Sequence, residues 1–284
     1  AVIMTLGLQY HYSKQLANDA IINSVNQLST KTEKELLNFD NASSDLISLL
    51  ELSHGIDDLS SDKENRLDIL KKLTTAIQTK NFIYAIYVGY ENGNFYEVVN
   101  LENDFNLRKR FGATNDERWI AIKIVEKDNK RVEIEYYLNK ELEVIREVVN
   151  TTDYNPTVRP WYIKALGSDD IVKTEPYMFS NLKSNGVTYA KKLSSTSVIG
   201  VDISLHNLSG FLNRQVTVKG SKFYLFNEEG QIIVSNDSKE HLNKSLSGLL
   251  TSTIDKNLEV LNIEGREYFV SNEPIDSIYT HDEY

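Results

Sequence analysis

The sequence predicts an α+β fold, in which one long N-terminal helix precedes two antiparallel-sheet modules of unequal size. Three observations predict it. Residues 10 to 54 contain neither proline nor glycine and repeat apolar side chains every three or four positions. Runs rich in aromatic and β-branched residues follow, broken by Asn-Gly or other polar turns. The order helix, hairpin, connection, hairpin then occurs twice, with the joint near residue 205. The chain of 284 residues is long enough for two such modules.

The opening run AVIMTLGL is much shorter than the roughly 20 apolar residues a membrane span needs, and no basic region precedes it. It reads either as the outer end of a transmembrane helix or as an amphipathic start. Beyond it, Ile21, Val25, Leu28, Leu36, Phe39, Leu46 and Leu50 fall on one helical face, with Thr32 and Ser43 filling the gaps. Gly55 is the expected stop. A pattern of this length fits a coiled coil, a membrane-linked stalk or a dimer helix, and equally a long helix packed on its own domain. A shorter helix is expected over 62 to 79.

The character then changes. FIYAIYVGYENGNFYEVVNL (82 to 101) reads as a β-hairpin, because Asn92 and Gly93 tolerate the positive φ of a tight turn. RWIAIKIVEKDNKRVEIEYYL (118 to 138) repeats the plan, with its turn near Asp128 to Lys130. After a helical stretch at 204 to 213, SKFYLFNEEGQIIVSN (221 to 236) and LEVLNIEGREYFVSN (258 to 272) read as hairpins turning at Gly230 and Gly265. The predicted division is a stalk helix over 1–60, a larger module over 61–205 and a smaller one over 206–284.

Composition removes several function classes. Net charge is −10, from 31 basic and 41 acidic residues, so nucleic acid is not an expected partner. The absence of cysteine excludes disulfides, a thiol nucleophile and thiolate metal sites. His11, His54, His206, His241 and His281 are scattered, with no pair at helical metal-ligand spacing. No metal site, cofactor or catalytic residue is expected, since phosphate-binding glycine loops and a nucleophile elbow are also missing. The acidic pairs Asp57-Asp58, Asp169-Asp170 and Glu228-Glu229 read as solvated turns or helix ends.

The densest stretch is DYNPTVRPWY (153 to 162). Proline disfavours helix in the residue before it, so Asn155 and Arg159 are pushed toward extended geometry. Pro160 suits the first helical position, and PWYIKAL continues for about two turns until Gly167 can end it. An extended segment therefore turns sharply into a short helix with Arg159 at the corner. Free amide N–H groups of Trp161 and Tyr162 and the Arg159 fork would suit a carboxylate, with the two rings walling the site. The competing reading is a packed corner, with Arg159 on a structural carboxylate and Trp161 filling the core.

Tyr154, Arg159, Pro160, Trp161 and Tyr162, at this spacing, resemble the ligand-binding signature of double-Cache sensor domains, which are tandem PAS-like modules. TEPY (174 to 177) and VIGVDISL (198 to 205) look like that family's next pocket segment and closing strand, and the resemblance covers nearly the whole chain. It implies a double-Cache fold with the ligand in the membrane-distal module. It also implies that Arg159, Trp161 and Tyr162 hold a ligand carboxylate, while Tyr154 and Asp202 hold an ammonium. Tyr177 joins them. One departure stands out: the amino-acid pattern carries an aspartate where this chain has Phe179. Asn181 or Asp153 could then help Asp202, or the ligand could be a carboxylate without an amine, its apolar part facing Phe179.

The resulting expectation is the extracytoplasmic, periplasmic sensor region of a bacterial membrane receptor. It would bind a small carboxylate-bearing metabolite, an amino acid or a related compound, and would not be an enzyme. Flanking transmembrane helices would anchor it, and the long helix could pair it into a homodimer. A methyl-accepting signalling domain, a histidine kinase or a cyclic-dinucleotide synthase would be the output. The rival expectations are a secreted carboxylate-dependent hydrolase and a protein-binding tandem module without a small ligand.

Overall fold

The computed structural model describes residues 2–53, 55–56, 63–80, 82–102, 105–180, 185–215, 224–226, 232–235, 259–263 and 266–270. Helix α1 runs Val2–Glu51, eight residues earlier at its start than the apolar spacing indicated. Among the described residues no helix is long and apolar enough to cross a membrane. Helix α2 covers Lys63–Gln78. Gly55, at φ +79°, lies in the turn beyond α1 rather than at its last residue.

Two compact units are distinguished: Phe39–Leu208, and the segments Ala1–Asn38 with Ser209–Tyr284. The first is built on an antiparallel sheet. Its strands are β1 (Ile83–Tyr90), β2 (Phe95–Asn100), β3 (Trp119–Lys127), β4 (Lys130–Leu138), β5 (Val144–Thr151), β6 (Val172–Lys173), β7 (Tyr177–Met178), β8 (Asn185–Ser194) and β9 (Ser197–Ser204). Their order is β5-β4-β3-β2-β1-β9-β8-β6, with β7 also pairing β8. Helix α3 (Phe105–Arg110) joins β2 to β3. A 3-10 turn at Pro156–Val158 and helix α4 (Pro160–Leu166) lie between β5 and β6.

Both expected hairpins of this sheet form, and their turns take the backbone the sequence called for. Gly93 has φ +81°, and Asp128 and Asn129 have φ +52° and +58°. Strands β1, β2 and β9 are buried almost throughout. Helix α2 packs on β1 and β2, while α4 packs on β6, β8 and β9. This double coverage explains why these strands read as continuous aromatic and β-branched runs rather than alternating ones. The end of α1 belongs to the same unit: Phe39, Leu46, Ile47 and Leu50 are buried, and Phe39 stacks on Phe82 at 4.6 Å.

The other unit contains the first part of α1 and most of helix α5 (Leu205–Gln215). It also holds two hairpins, β10 (Tyr224–Phe226) with β11 (Ile232–Ser235) and β12 (Glu259–Ile263) with β13 (Arg266–Val270). Both occupy the positions read from the sequence; Gly230 and Gly265, named as their turns, lie outside the described residues. Ser209 Oγ donates to the Ser235 carbonyl at 3.2 Å, tying α5 to β11.

Candidate functional site

The corner at 153 to 162 forms as proline chemistry dictates. Asn155 is extended (φ −131°, ψ 118°), and its Oδ1 accepts from the Thr157 amide at 3.1 Å, capping the 3-10 turn. Arg159 is extended too (φ −85°, ψ 147°), and Pro160 opens α4. The corner presses on β1 where that strand has no side chain. A Cβ at Gly89 would lie 2.7 Å from Trp161 and 2.8 Å from Pro156. Trp161 and Tyr162 are buried and meet edge to face at 5.4 Å.

A small cavity, about 20 Å³ of free space, opens between this corner and the sheet. Tyr154, Arg159, Trp161, Tyr177, Phe179 and Asp202 all line it, so six of the seven residues chosen from the sequence meet there. Tyr162 does not line it. Its amide donates to the Arg159 carbonyl at 3.1 Å, so that N–H closes the helix turn instead of facing the cavity. Asp153, a suggested helper, is exposed and does not line the cavity; Asn181 lies outside the described residues.

Arg159 holds one end. Its guanidinium sits 5.8 Å from the Tyr154 ring centroid and 5.6 Å from that of Tyr177, within cation–π range of both. Nη2 reaches the Met178 carbonyl at a long 3.5 Å, and Nε is buried without a hydrogen-bond partner. Among the described residues no carboxylate forms an ion pair with Arg159. The packed-corner reading needed such a partner. A planar donor fork with an orphaned buried N–H instead suits an incoming carboxylate.

Asp202 holds the other end, on β9. Its Oδ1 accepts from the Tyr87 hydroxyl at 2.5 Å and from Thr188 Oγ1 at 2.5 Å. The Tyr177 hydroxyl and Thr188 Oγ1 are 2.7 Å apart, which extends the network to β7. Burial pushes the Asp202 carboxyl up to about 7, although Thr188, Tyr87 and the Arg159 charge all pull it down. A carboxyl so poised gains most from a cation that arrives with the ligand.

Strand glycines shape this end as well. A Cβ at Gly200 would run into the Tyr87 ring, 2.7 Å from its Cζ. One at Gly186 would collide with the Phe179 ring and lie 2.6 Å from the Ile203 carbonyl. Each aromatic wall thus rests on bare backbone of the sheet.

Five lining residues were not found in the sequence: Tyr84, Tyr87, Phe95, Glu97 and Ser180. Register carries most of the signal. Tyr87 pairs with Glu97 on β2 and with Gly200 on β9, so alternation places Glu97, Tyr87 and Asp202 on one face. Tyr84 arrives differently. Ile83 pairs Ile203 and Ala85 pairs Asp202, so Tyr84 is the extra residue of a β-bulge. The bulge turns its ring into the cavity, where its buried hydroxyl has no hydrogen-bond partner.

Comparisons with known proteins give the family and the fold. Residues 69–210 match the family described as methyl-accepting chemotaxis protein-like, first PDC sensor domain. The chain is 30% identical over 131 residues to methyl-accepting chemotaxis protein McpG of Pseudomonas putida, covering 44% of this chain and 20% of that protein. It is 26% identical over 183 residues to adenylate cyclase 1 of Rhizobium meliloti, covering 62% of this chain and 27% of that protein. It therefore spans about a quarter or less of the length of these curated relatives. Among solved structures, the sensory domain of the Campylobacter jejuni chemoreceptor Tlp3, solved with isoleucine bound, is similar at a TM-score of 0.56 and 16% identity. The likeness covers 93% of this chain and 92% of that one.

Proposed function

Because the chain belongs to the family of methyl-accepting chemotaxis protein-like sensor domains of the first PDC type, we propose that its cavity between Arg159 and Asp202 binds a small carboxylate-bearing metabolite of the amino-acid class. The chain is the ligand-sensing domain of a bacterial signal-transduction receptor, and its fold is that of the Cache-type sensors. The single observation that carries the ligand class is the buried, unpartnered Nε of Arg159 at the cavity wall. The carboxylate lies on Arg159 beneath the Trp161 wall, and Asp202 faces an ammonium. Tyr154, Tyr177 and Phe179 close the sides. Tyr162 supports the site by fixing Trp161 and contributes no contact of its own.

The cavity's free space is about that of one water molecule, so a ligand of amino-acid size enters only as the lining shifts. Binding energy is thereby coupled to conformation, which is what a sensor requires. Tyr177 of the lining lies on β7, which pairs with β8, and the anchor of α1 is held by β6 and β8. Lys173 on β6 pairs with Asp40 of α1 at 2.7 Å, the Tyr189 hydroxyl on β8 donates to the same carboxylate, and Lys191 reaches Glu51 at 2.7 Å. A ligand that resets Tyr177 and Phe179 shifts the population of states in which these strands grip the helix. We assign 61–205 to the membrane-distal ligand-binding module, 206–284 to a membrane-proximal module and 1–60 to the stalk. The domain works outside the cytoplasm, held by flanking membrane helices, with α1 as the dimerising element. The output domain is a methyl-accepting signalling domain, a histidine kinase or a cyclic-dinucleotide synthase.

A thermal-shift screen of free amino acids, amines and simple organic acids tests the reading. A ligand at about 100 times its Kd adds about 2.7 kcal/mol of stability. At least one carboxylate-bearing compound should raise the melting temperature. A broad panel in which none does, while a protein partner binds, would refute it.

A further inference from the structure

Among the described residues four tyrosines line the cavity, and two of their hydroxyls are committed to the network around Asp202. Tyr87 donates to Asp202 itself, and Tyr177 meets Thr188. Tyr84 differs. It is 5% exposed, lines the cavity, and its hydroxyl has no hydrogen-bond partner among the described residues. Its place is built by the backbone. Tyr84 and Tyr87 are three positions apart, so plain alternation would put them on opposite faces of β1. The bulge between Ile83 and Ala85 brings Tyr84 to the Tyr87 face, while the ladder to β9 keeps its register from Ala85 to Tyr90. A buried hydroxyl without a partner costs the fold stability, and a phenylalanine would fill the same space without that cost.

The aromatic walls order the cavity. The Tyr177 ring lies 5.6 Å from the Arg159 guanidinium, Phe179 meets Tyr177 at 5.2 Å, and Tyr84 lies nearly parallel to Phe179 at 6.0 Å. Tyr84 is therefore the third ring from Arg159. Charge effects follow the same order. Beyond burial, which acts first on each of these groups, the Arg159 charge reaches Tyr154, Tyr177 and Asp202, whereas Tyr84 answers to Glu97, Asp202, Arg110 and Tyr154. A ligand carboxylate on Arg159 and an ammonium at Asp202 leave the Tyr84 hydroxyl to the ligand's side chain. Burial, then the Glu97 and Asp202 charges, holds this phenol protonated well above its ordinary pKa, so it is a neutral donor and acceptor. The same two negative charges oppose a second carboxylate at that end. A neutral amide or hydroxyl satisfies the phenol without bringing another charge out of water.

Building on the carboxylate site proposed above, we propose that Tyr84 is the residue that decides specificity for the ligand's side chain, its hydroxyl pairing with an uncharged amide or hydroxyl group there. The preferred ligands are amino acids with a neutral polar side chain, ahead of those whose side chain is aliphatic or a carboxylate.

The test is calorimetry with two pairs of nearly equal shape, L-threonine with L-valine and L-asparagine with L-leucine, on the wild-type chain, Tyr84→Phe and Arg159→Ala. In wild type the polar member of at least one pair should bind at least about fivefold more tightly, the scale of one neutral hydrogen bond. L-Aspartate should bind more weakly than L-asparagine. Tyr84→Phe should bring the two members of that pair level by weakening the polar one. It should also melt no lower than wild type, because the hydroxyl has no partner in the fold to lose. Equal or tighter binding of the apolar member in both pairs would overturn the proposal, as would L-aspartate binding as well as L-asparagine. So would a preference that survives Tyr84→Phe, or a lowered melting temperature, which would mean that the hydroxyl is paired within the fold. Failure of the underlying site looks different: no probe would bind wild type, or their binding would ignore Arg159→Ala, and the proposal would fall with it.

Discussion

The Tyr87 hydroxyl donates to Asp202 Oδ1 at 2.5 Å, across the neighbouring strands β1 and β9, and Thr188 donates to the same oxygen. Two hydroxyls therefore fix the carboxyl in place, yet among the described residues no cation neutralises it at ion-pair distance. Burial still dominates and holds the group near pH 7. The site keeps an acid in a position that costs the fold stability, as a binding site for a cation would.

That cost has a pH signature. The Asp202 carboxyl titrates near 7 in the folded chain and near 3.9 when unfolded, so the folded state holds the extra proton between those values. Stability contributed by the protonated form is present at low pH and is lost as pH rises through about 7. Asp202→Asn removes this dependence. Its melting temperature relative to wild type should rise from about pH 4 to about pH 7 and then level off. A gap that stays constant over that range would show that Asp202 is not so shifted.

Arg159→Ala should leave the fold nearly intact, because among the described residues its guanidinium makes one hydrogen bond, the long contact to Met178. Affinity for the best carboxylate ligand should fall at least about tenfold, as expected for a hydrogen-bonded charge. Calorimetry beside a denaturation curve checks both halves.

Gly186→Ala puts a methyl group into the space of the Phe179 ring and against the Ile203 carbonyl. Overpacking should cost about 1–3 kcal/mol, read from chemical denaturation, and ligand affinity should change because the displaced ring is a cavity wall. A neutral result in both measurements would place Phe179 elsewhere.

Asp40→Asn removes the Asp40 carboxylate from the Lys173 ammonium in a largely buried setting, both partners being under a fifth exposed at 14% and 16%, while the Glu175 charge still acts on Lys173. Destabilisation is expected, smaller than the roughly 3 kcal/mol that a fully unpaired buried charge would cost. Asp40 is not part of the cavity, but if ligand binding shifts how these strands grip the helix, loosening the grip must change the affinity in return. An unchanged affinity beside a clear loss of stability would show that the cavity and the anchor of α1 are not coupled.

What the sequence made legible was local chemistry. Pro156 and Pro160 dictate the corner, and with it Arg159 and Trp161, because proline acts on its immediate neighbours. Asn92-Gly93 and Asp128-Asn129 dictate two hairpins for the same reason. The remainder depends on pairing between distant strands. Glu97 reaches the cavity only because it registers against Tyr87, and Tyr84 only because β1 bulges against β9. The strand glycines Gly89, Gly186 and Gly200 look unremarkable until the rings lying on them are in place. Tyr162 is the opposite case: it has the right spacing in the motif, while in this structure its ring is buried in the core and its amide closes a helix turn.

A crystal structure of the domain with its best-screened ligand tests the central claim most directly. The account predicts the ligand carboxylate within about 3 Å of the Arg159 guanidinium, with an amine on Asp202. A ligand seated outside the cavity, or one with its carboxylate turned away from Arg159, would contradict it.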